Sequence, residues 1–248
     1  METIGIIGFG SFVRLLTDLI APHLPVLIHS RQDVSADMLP DNTRHGSLEE
    51  VAHCSAIIIA TELASLNDIC KQLAPLVQPQ TIVMDVCSVK VKPSQILQQH
   101  LEGKCRLLAT HPMFGPNSVA DNPNTAKGFK LVWHELSGGP FPELEALFTD
   151  NLGLELLQMT PEDHDKQMAW VHGLTFFVGR GLVNMDLPNL TLDTGYYRKL
   201  LDLFELEKTH SIELFETVEL GNPYAKQVRE RFMQTLTELE AGLERKQL

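Results

Sequence analysis

Thr3-Ile4-Gly5-Ile6-Ile7-Gly8-Phe9-Gly10-Ser11-Phe12-Val13 opens the chain, and its reading decides the fold. Residues 3–8 are apolar at nearly every position, as a strand covered on both faces must be. Gly8 and Gly10 then make a turn, and residues 12–20 carry the spacing of an amphipathic helix. Strand, glycine turn, helix is the context in which a G-x-G run binds a dinucleotide. The first glycine makes the tight turn, the second lets the backbone approach a pyrophosphate, and the helix N-terminus faces the negative charge. Gly8, Phe9, Gly10, Ser11 and Phe12 are therefore the expected cofactor-binding residues here. The third fingerprint position is Val13, neither glycine nor alanine, which loosens the expected helix–strand contact. A plain β-turn without a ligand is the bland alternative.

The pattern repeats downstream. Residues 25–30 (PVLIHS), 56–61 (AIIIAT), 81–86 (TIVMDV), 106–110 (RLLAT) and 129–134 (FKLVWH) read as further strands. Helical spacing appears around 66–73 and 94–101 between them, and again at 143–151 after the loop Gly138-Gly139-Pro140-Phe141-Pro142. Strands alternating with helices predict an α/β fold, a doubly wound parallel sheet of Rossmann type. Thr61, closing the third strand, joins the expected cofactor set. After Met159 the period is helical almost to the end, broken at 187–189 and 221–223. Thr160-Pro161-Glu162-Asp163 is a good helix start: a threonine cap, proline at the first position, acids in the first turn. The expected organisation is a dinucleotide-binding domain over 1–159 and an all-helical domain over 160–248.

The second strand's end chooses the nucleotide. NAD sites usually place an acid there for the ribose hydroxyls, whereas an arginine accommodates a 2′-phosphate. This chain reads His29-Ser30-Arg31: Ser30 offers a hydrogen bond and Arg31 a planar guanidinium fork. NADP is the expected cofactor, with NAD the alternative if Asp33 takes the ribose.

A net charge of −12 over 248 residues argues against a nucleic-acid partner, which needs a basic surface. Cys54, Cys70, Cys87 and Cys105 are scattered without metal-ligand spacing and read as reduced thiols. No signal peptide and no run approaching the roughly 20 apolar residues of a membrane span is visible. The expectation is a cytoplasmic protein with a small-molecule substrate, no metal and no membrane.

Two further motifs carry chemistry. Asp85-Val86-Cys87-Ser88-Val89-Lys90 follows the fourth strand, and His111-Pro112-Met113-Phe114-Gly115-Pro116 follows the fifth. With them, the chain resembles the prephenate/arogenate dehydrogenase family, whose members carry a D-x-x-S-V-K turn and an H-P-M-x-G turn at these places. Glu162-Asp163-His164-Asp165 is similar to the family's acidic-His-Asp helix start. The resemblance implies oxidative decarboxylation: hydride leaves the carbon bearing the ring hydroxyl for nicotinamide, and the ring carboxylate departs as carbon dioxide. It makes His111 the base that accepts the hydroxyl proton, a task suited to an imidazole with an ordinary pKa of about 6.5. Ser88 would hydrogen-bond the same hydroxyl or the imidazole. The bland readings are a strand-capping His111 and a helix-capping Ser88.

The chain also departs from the family pattern. Relatives carry a second, substrate-binding histidine whose place, counted from Asp165, is Phe176; His172 lies one helical turn earlier on the same face. A substrate-binding arginine of relatives falls on Leu206 here, leaving Arg198 and Arg180 as the nearby replacements. His172 and Arg198 are the expected substrate-binding residues. Asn117, where many relatives have an acid, leans towards a keto substrate rather than one with an ammonium, and Asp121 would overturn that. A different small hydroxy acid or imine as substrate, or a non-catalytic NADP sensor, are the other readings. The leucine-rich helical part predicts a homodimer joined through that domain.

Overall fold

The computed structural model describes residues 1–32, 34–119 and 125–247, so Asp33 and Asp121 lie outside the described residues. Isoleucine alternation builds its centre. In β1 (Ile4–Ile7), Ile4 and Ile6 enter one apolar cluster and Ile7 another, because successive side chains point to opposite faces. The strands β2 (Val26–His29), β3 (Thr43–His45), β4 (Ala56–Ile59), β5 (Ile82–Asp85), β6 (Arg106–Pro112), β7 (Lys130–Ser137) and β8 (Glu155–Gln158) complete one sheet. Its order is β3-β2-β1-β4-β5-β6-β7-β8. Pairing is parallel from β3 to β6, antiparallel between β6 and β7, and parallel between β7 and β8.

Helices cover both faces. α1 (Ser11–Ile20) packs with Ile4, Ile6 and Ile28 on one side, joined by Leu144 of α5 (Pro142–Ala146). α2 (Leu48–Ala52), α3 (Leu63–Leu73) and α4 (Val91–Leu101) pack with Ile7, Ile57 and Val83 on the other. The fold is the expected doubly wound α/β sheet. Between the neighbours β1 and β4 the chain leaves in opposite directions, to α1 on one face and α3 on the other. That divergence opens a crevice at the strands' C-terminal ends, where doubly wound sheets bind ligands.

Three elements are absent from the sequence reading. β3 is a polar three-residue edge strand, β8 is a short edge strand with charged and amide ends, and α2 has only five residues. None is long enough to show a period. The helix expected at 143–151 divides into α5 and a π-helical turn, Leu147–Asn151. Val13 is buried in the apolar cluster that α1 shares with Ile4 and Ile6 of β1.

The chain divides into two compact units, Met1–Pro161 and Glu162–Leu248. The second contains most of α6 (Pro161–Met168), a π-helical stretch (Ala169–Leu174), α7 (Thr175–Met185), α8 (Gly195–Lys208), α9 (Ile212–Gly221) and α10 (Ala225–Gln247). Thr194 and Ser211 cap α8 and α9, accepting from the backbone N–H groups of Tyr197 and Leu214. Among the described residues, no helix is long and apolar enough to cross a membrane.

Candidate functional site

The crevice between β1 and β4 is a cleft of about 230 Å³ lined by Gly8, Phe9, Gly10, His29, Ser30, Arg31, Gln32, Thr61 and Glu62, among others. Two glycines serve it differently. Gly8 has φ +122°, and a Cβ there would lie 2.4 Å from the Ala60 carbonyl oxygen, so the crossing of β1 past β4 demands glycine. Gly10 has ordinary φ, and a Cβ on it would meet nothing within 4 Å. The protein itself leaves that space open. Gly10 caps α1 with no side-chain hydrogen bond, and no acid sits in the first turn, so the helix N-terminus presents unsatisfied N–H groups to an anion. Thr61 adds a buried hydroxyl oxygen without a hydrogen-bond partner. A helix N-terminus, an open space over glycine and an unsatisfied hydroxyl fit a dinucleotide.

Phe9 is buried beneath the Arg14 guanidinium, and Phe12 packs its ring 5.9 Å from Phe114. Phe12 therefore packs against the core below the turn, while Gly8, Phe9 and Gly10 line the cleft. At the end of β2, Ser30 Oγ accepts from the Gln32 N–H at 3.1 Å, and Arg31 is exposed beside it.

His111 lies two strands farther along the same sheet edge. It is buried near the end of β6, opposite Val132 of β7. Ser88 is half-buried in the bend after β5, the neighbouring strand, so the fold brings Ser88 and His111 to adjacent C-terminal strand ends. The flanking motif residues have a role of their own. Asp85 and Lys90 form an ion pair exposed to 0% and 1%. Lys90 Nζ also donates to the Thr110 carbonyl, and Thr110 Oγ1 donates to the Asp85 carbonyl at 2.6 Å. Burial pushes the Asp85 carboxyl up, against the opposing pull of Lys90. Asn117 is exposed in the turn after Met113.

All four cysteines are free. Burial pushes the thiols of Cys54, Cys70 and Cys105 up to about 11, 12 and 12, which keeps them protonated and unreactive. No metal-binding group of His, Cys, Asp or Glu occurs among the described residues.

In the helical unit, Phe176 is sandwiched between two imidazoles, 5.2 Å from His172 and 4.6 Å from His210. His210 Nδ1 lies 2.9 Å from Glu207, a carboxylate only 1% exposed, and Arg180 pairs with the other Glu207 oxygen at 2.8 Å. A second carboxylate–imidazole pair, Asp165 with His164 at 2.8 Å, is buried at the start of α6. Burial, then the charges of His164 and His210, push His172 down to about 4. Arg198 makes none of these contacts; its side chain is 68% exposed and pairs with Asp193 at 2.7 Å. The physical reason is helix phase: Arg198 and Glu207 are about two and a half turns apart on α8, which puts them on opposite faces. Arg180 is the arginine of the cluster.

Comparison with known proteins shows what the chain is similar to. Residues 31–129 match the model of the prephenate dehydrogenase nucleotide-binding domain, which covers both the Asp85–Lys90 and His111 motifs. Residues 182–248 match a TYRAAT1-like C-terminal domain. Arogenate dehydrogenase 2, chloroplastic, of Arabidopsis thaliana is 28% identical over 241 residues, 92% of this chain and 66% of that protein. Arogenate dehydrogenase 1, chloroplastic, of the same plant is 29% identical over 240 residues, 92% of this chain and 37% of that protein. The chain thus spans two thirds or less of these relatives. It is similar to the prephenate/arogenate dehydrogenases, through its nucleotide-binding residues 31–129 and through relatives aligned over 92% of its length. Among solved structures, the prephenate dehydrogenase of A. aeolicus with hydroxyphenyl propionate and NAD+ superposes at TM-score 0.73 and 19% identity, covering 99% of this chain and 92% of that one. The Synechocystis arogenate dehydrogenase gives 0.69 and 20%, with coverage of 100% and 94%.

Of the residues that sequence reading singled out, the structure places the glycine turn and Thr61 at the cleft, Ser88 and His111 at adjacent strand ends, and His172 beside Phe176 in the helical unit. It missed Glu207 and His210, because nothing in Lys208-Thr209-His210 distinguishes a helix end from a site. It also passed over Lys90, whose fixed spacing from Asp85 was the available signal.

Proposed function

We propose that the chain is a nicotinamide-dependent dehydrogenase that decarboxylates prephenate or arogenate oxidatively, in tyrosine biosynthesis, with NADP as its cofactor. The observation that carries this reading is the shared sheet edge: the glycine-turn cleft, Ser88 and His111 all stand at C-terminal ends of parallel strands in one unit. Gly8, Gly10 and the α1 N-terminus would hold the pyrophosphate, Thr61 would fill its hydrogen bond on the ligand, and Ser30 with Arg31 would take the 2′-phosphate. The bound dinucleotide supplies the hydride acceptor. His111, as neutral imidazole, removes the ring-hydroxyl proton, and Ser88 holds that hydroxyl in place. His172 and Arg180 are the groups of the helical unit for the remainder of the substrate; Arg180 has the fork that a carboxylate needs, and takes the part expected of Arg198. Asn117, uncharged, favours the keto acid over the amino acid.

The chain is further proposed to work as a cytoplasmic homodimer joined through the helical unit. Support comes from its four free thiols and from the exposed Leu192, Tyr196, Leu220 and Leu239. The test of the reaction is cofactor reduction by the unmodified protein against prephenate, arogenate and a panel of small hydroxy acids. Turnover of prephenate with release of carbon dioxide is expected. Phe176, in the place of a substrate histidine, favours a second reading, a dehydrogenase of another hydroxy acid. Cofactor reduction with a hydroxy acid of the panel, and with neither cyclohexadienyl acid, would establish that one.

A further inference from the structure

The Asp85–Lys90 pair has no part in the reaction as proposed, yet it is the most deeply buried pair of full charges in the sheet unit. Its place in the ladder explains why. β5 ends at Asp85, whose registered partner is Ala109. β6 runs three residues further, through Thr110, His111 and Pro112, and on that stretch its registered partners are in β7 alone. The Thr110 carbonyl therefore faces a side where the neighbouring strand has stopped. Lys90 Nζ reaches that carbonyl while paired to Asp85, and Thr110 Oγ1 returns a bond to the Asp85 carbonyl. Asp85 also accepts from the Cys87 N–H at 3.0 Å, one residue before Ser88. One buried pair thus grips the residue that precedes His111 and the turn that carries Ser88.

We propose that Lys90 and Asp85 are positioning residues: a side-chain extension of the β5–β6 ladder that fixes the His111 imidazole and the Ser88 hydroxyl relative to one another. The claim about reaction rate rests on the dehydrogenase reading above; the geometric claim does not. A buried ion pair that only stabilised the sheet would serve as well anywhere along it, and an apolar pair of similar volume often does as well or better. This one sits where the strand partner ends and the proposed base begins.

The experiment uses the full chain in two variants. Asp85→Asn with Lys90→Met removes both charges together, so no unpaired carboxylate is left buried. Thr110→Val removes only the returning hydroxyl and keeps the side chain's shape. In the double variant, turnover should fall about 100-fold, because a misplacement near 1 Å of reacting groups costs about that much. The KM for prephenate and the Kd for NADPH should stay within about threefold, since neither ligand is held by this pair. Thr110→Val should show the same split with a smaller loss. In parallel, the His111 ring resonances, assigned by their loss in His111→Asn, should move in both variants. A His111 signal and a turnover that are both unchanged in a folded double variant would overturn the proposal. If the wild type turns over neither cyclohexadienyl acid while the His111 resonances still move, the dehydrogenase reading fails and the positioning stands. If the double variant does not fold, an unmoved His111 signal in Thr110→Val overturns the proposal, and a moved one supports it.

Discussion

His111 is the residue on which the proposed chemistry turns. His111→Asn should lower turnover about 100-fold or more while leaving nucleotide affinity unchanged, measured by steady-state rates beside a fluorescence titration with NADPH. Only the neutral imidazole accepts a proton, so the wild-type rate should fall as pH drops through the imidazole range, and a flat profile would return His111 to a structural part. At the other end of the cleft, Arg31→Ala should remove a preference for NADPH over NADH, read as the ratio of the two dissociation constants. Equal affinities in the wild type would dispose of the NADP assignment. For the substrate, Arg180→Lys keeps the charge beside Glu207 and loses the fork, so it should raise the KM for prephenate about tenfold. Arg198→Ala, on the exposed face of α8, should change it little. The sequence offered both arginines and preferred Arg198; the contacts with Glu207 and His210 distinguish Arg180, and the two KM values decide between them.

At the scale of elements, the β1–α1 turn holds two glycines with different obligations. Gly8→Ala puts a methyl group against the Ala60 carbonyl at a positive φ. It should destabilise the protein by about 2 kcal/mol or more, visible in the urea midpoint. Gly10→Val meets no protein atom within 4 Å, so the fold should hold while nucleotide binding is lost. A Gly10→Val protein that still bound NADPH would show that the cleft is not the pyrophosphate site. The strands that the sequence made legible are the ones buried on both faces, β1, β2, β4, β5, β6 and the first part of β7. The edge strands β3 and β8 were not, because a strand of three or four residues with polar ends carries no period to read.

For the whole molecule, the helical unit ties stability to pH. His172 titrates near 4 in the folded protein and near 6.5 when unfolded, so unfolding takes up a proton between those values. Burying His172 therefore costs no proton-linked stability above about 6.5, and the penalty grows as pH drops towards 4, to on the order of 3 kcal/mol in total. His172→Gln should flatten that part of the stability curve, measured by urea unfolding at pH 7 and pH 4.5. The same unit leaves Leu192, Tyr196 and Leu220 more than two thirds exposed, a surface suited to a second copy. Sedimentation at micromolar concentration should give the mass of a dimer, and Leu220→Asp with Leu239→Asp should give a monomer.

The sequence by itself determined the doubly wound sheet, the glycine turn that opens it, the neighbourhood of Ser88 and His111, and the change to helices near residue 160. The strands, the glycine turn and the helix start follow from periodicity and from residues a few positions apart, and the neighbourhood of Ser88 and His111 from the resemblance that their two motifs carry. Tertiary structure alone decided what required distant partners. It showed that Asp85 and Lys90 reach across to Thr110 and that Phe12 meets Phe114. It showed that Val13 is buried in the cluster that α1 shares with β1, and that Arg180 rather than Arg198 contacts Glu207 and His210. In each case the deciding quantity is the direction a side chain takes from its own element towards another, and no spacing along the chain contains it.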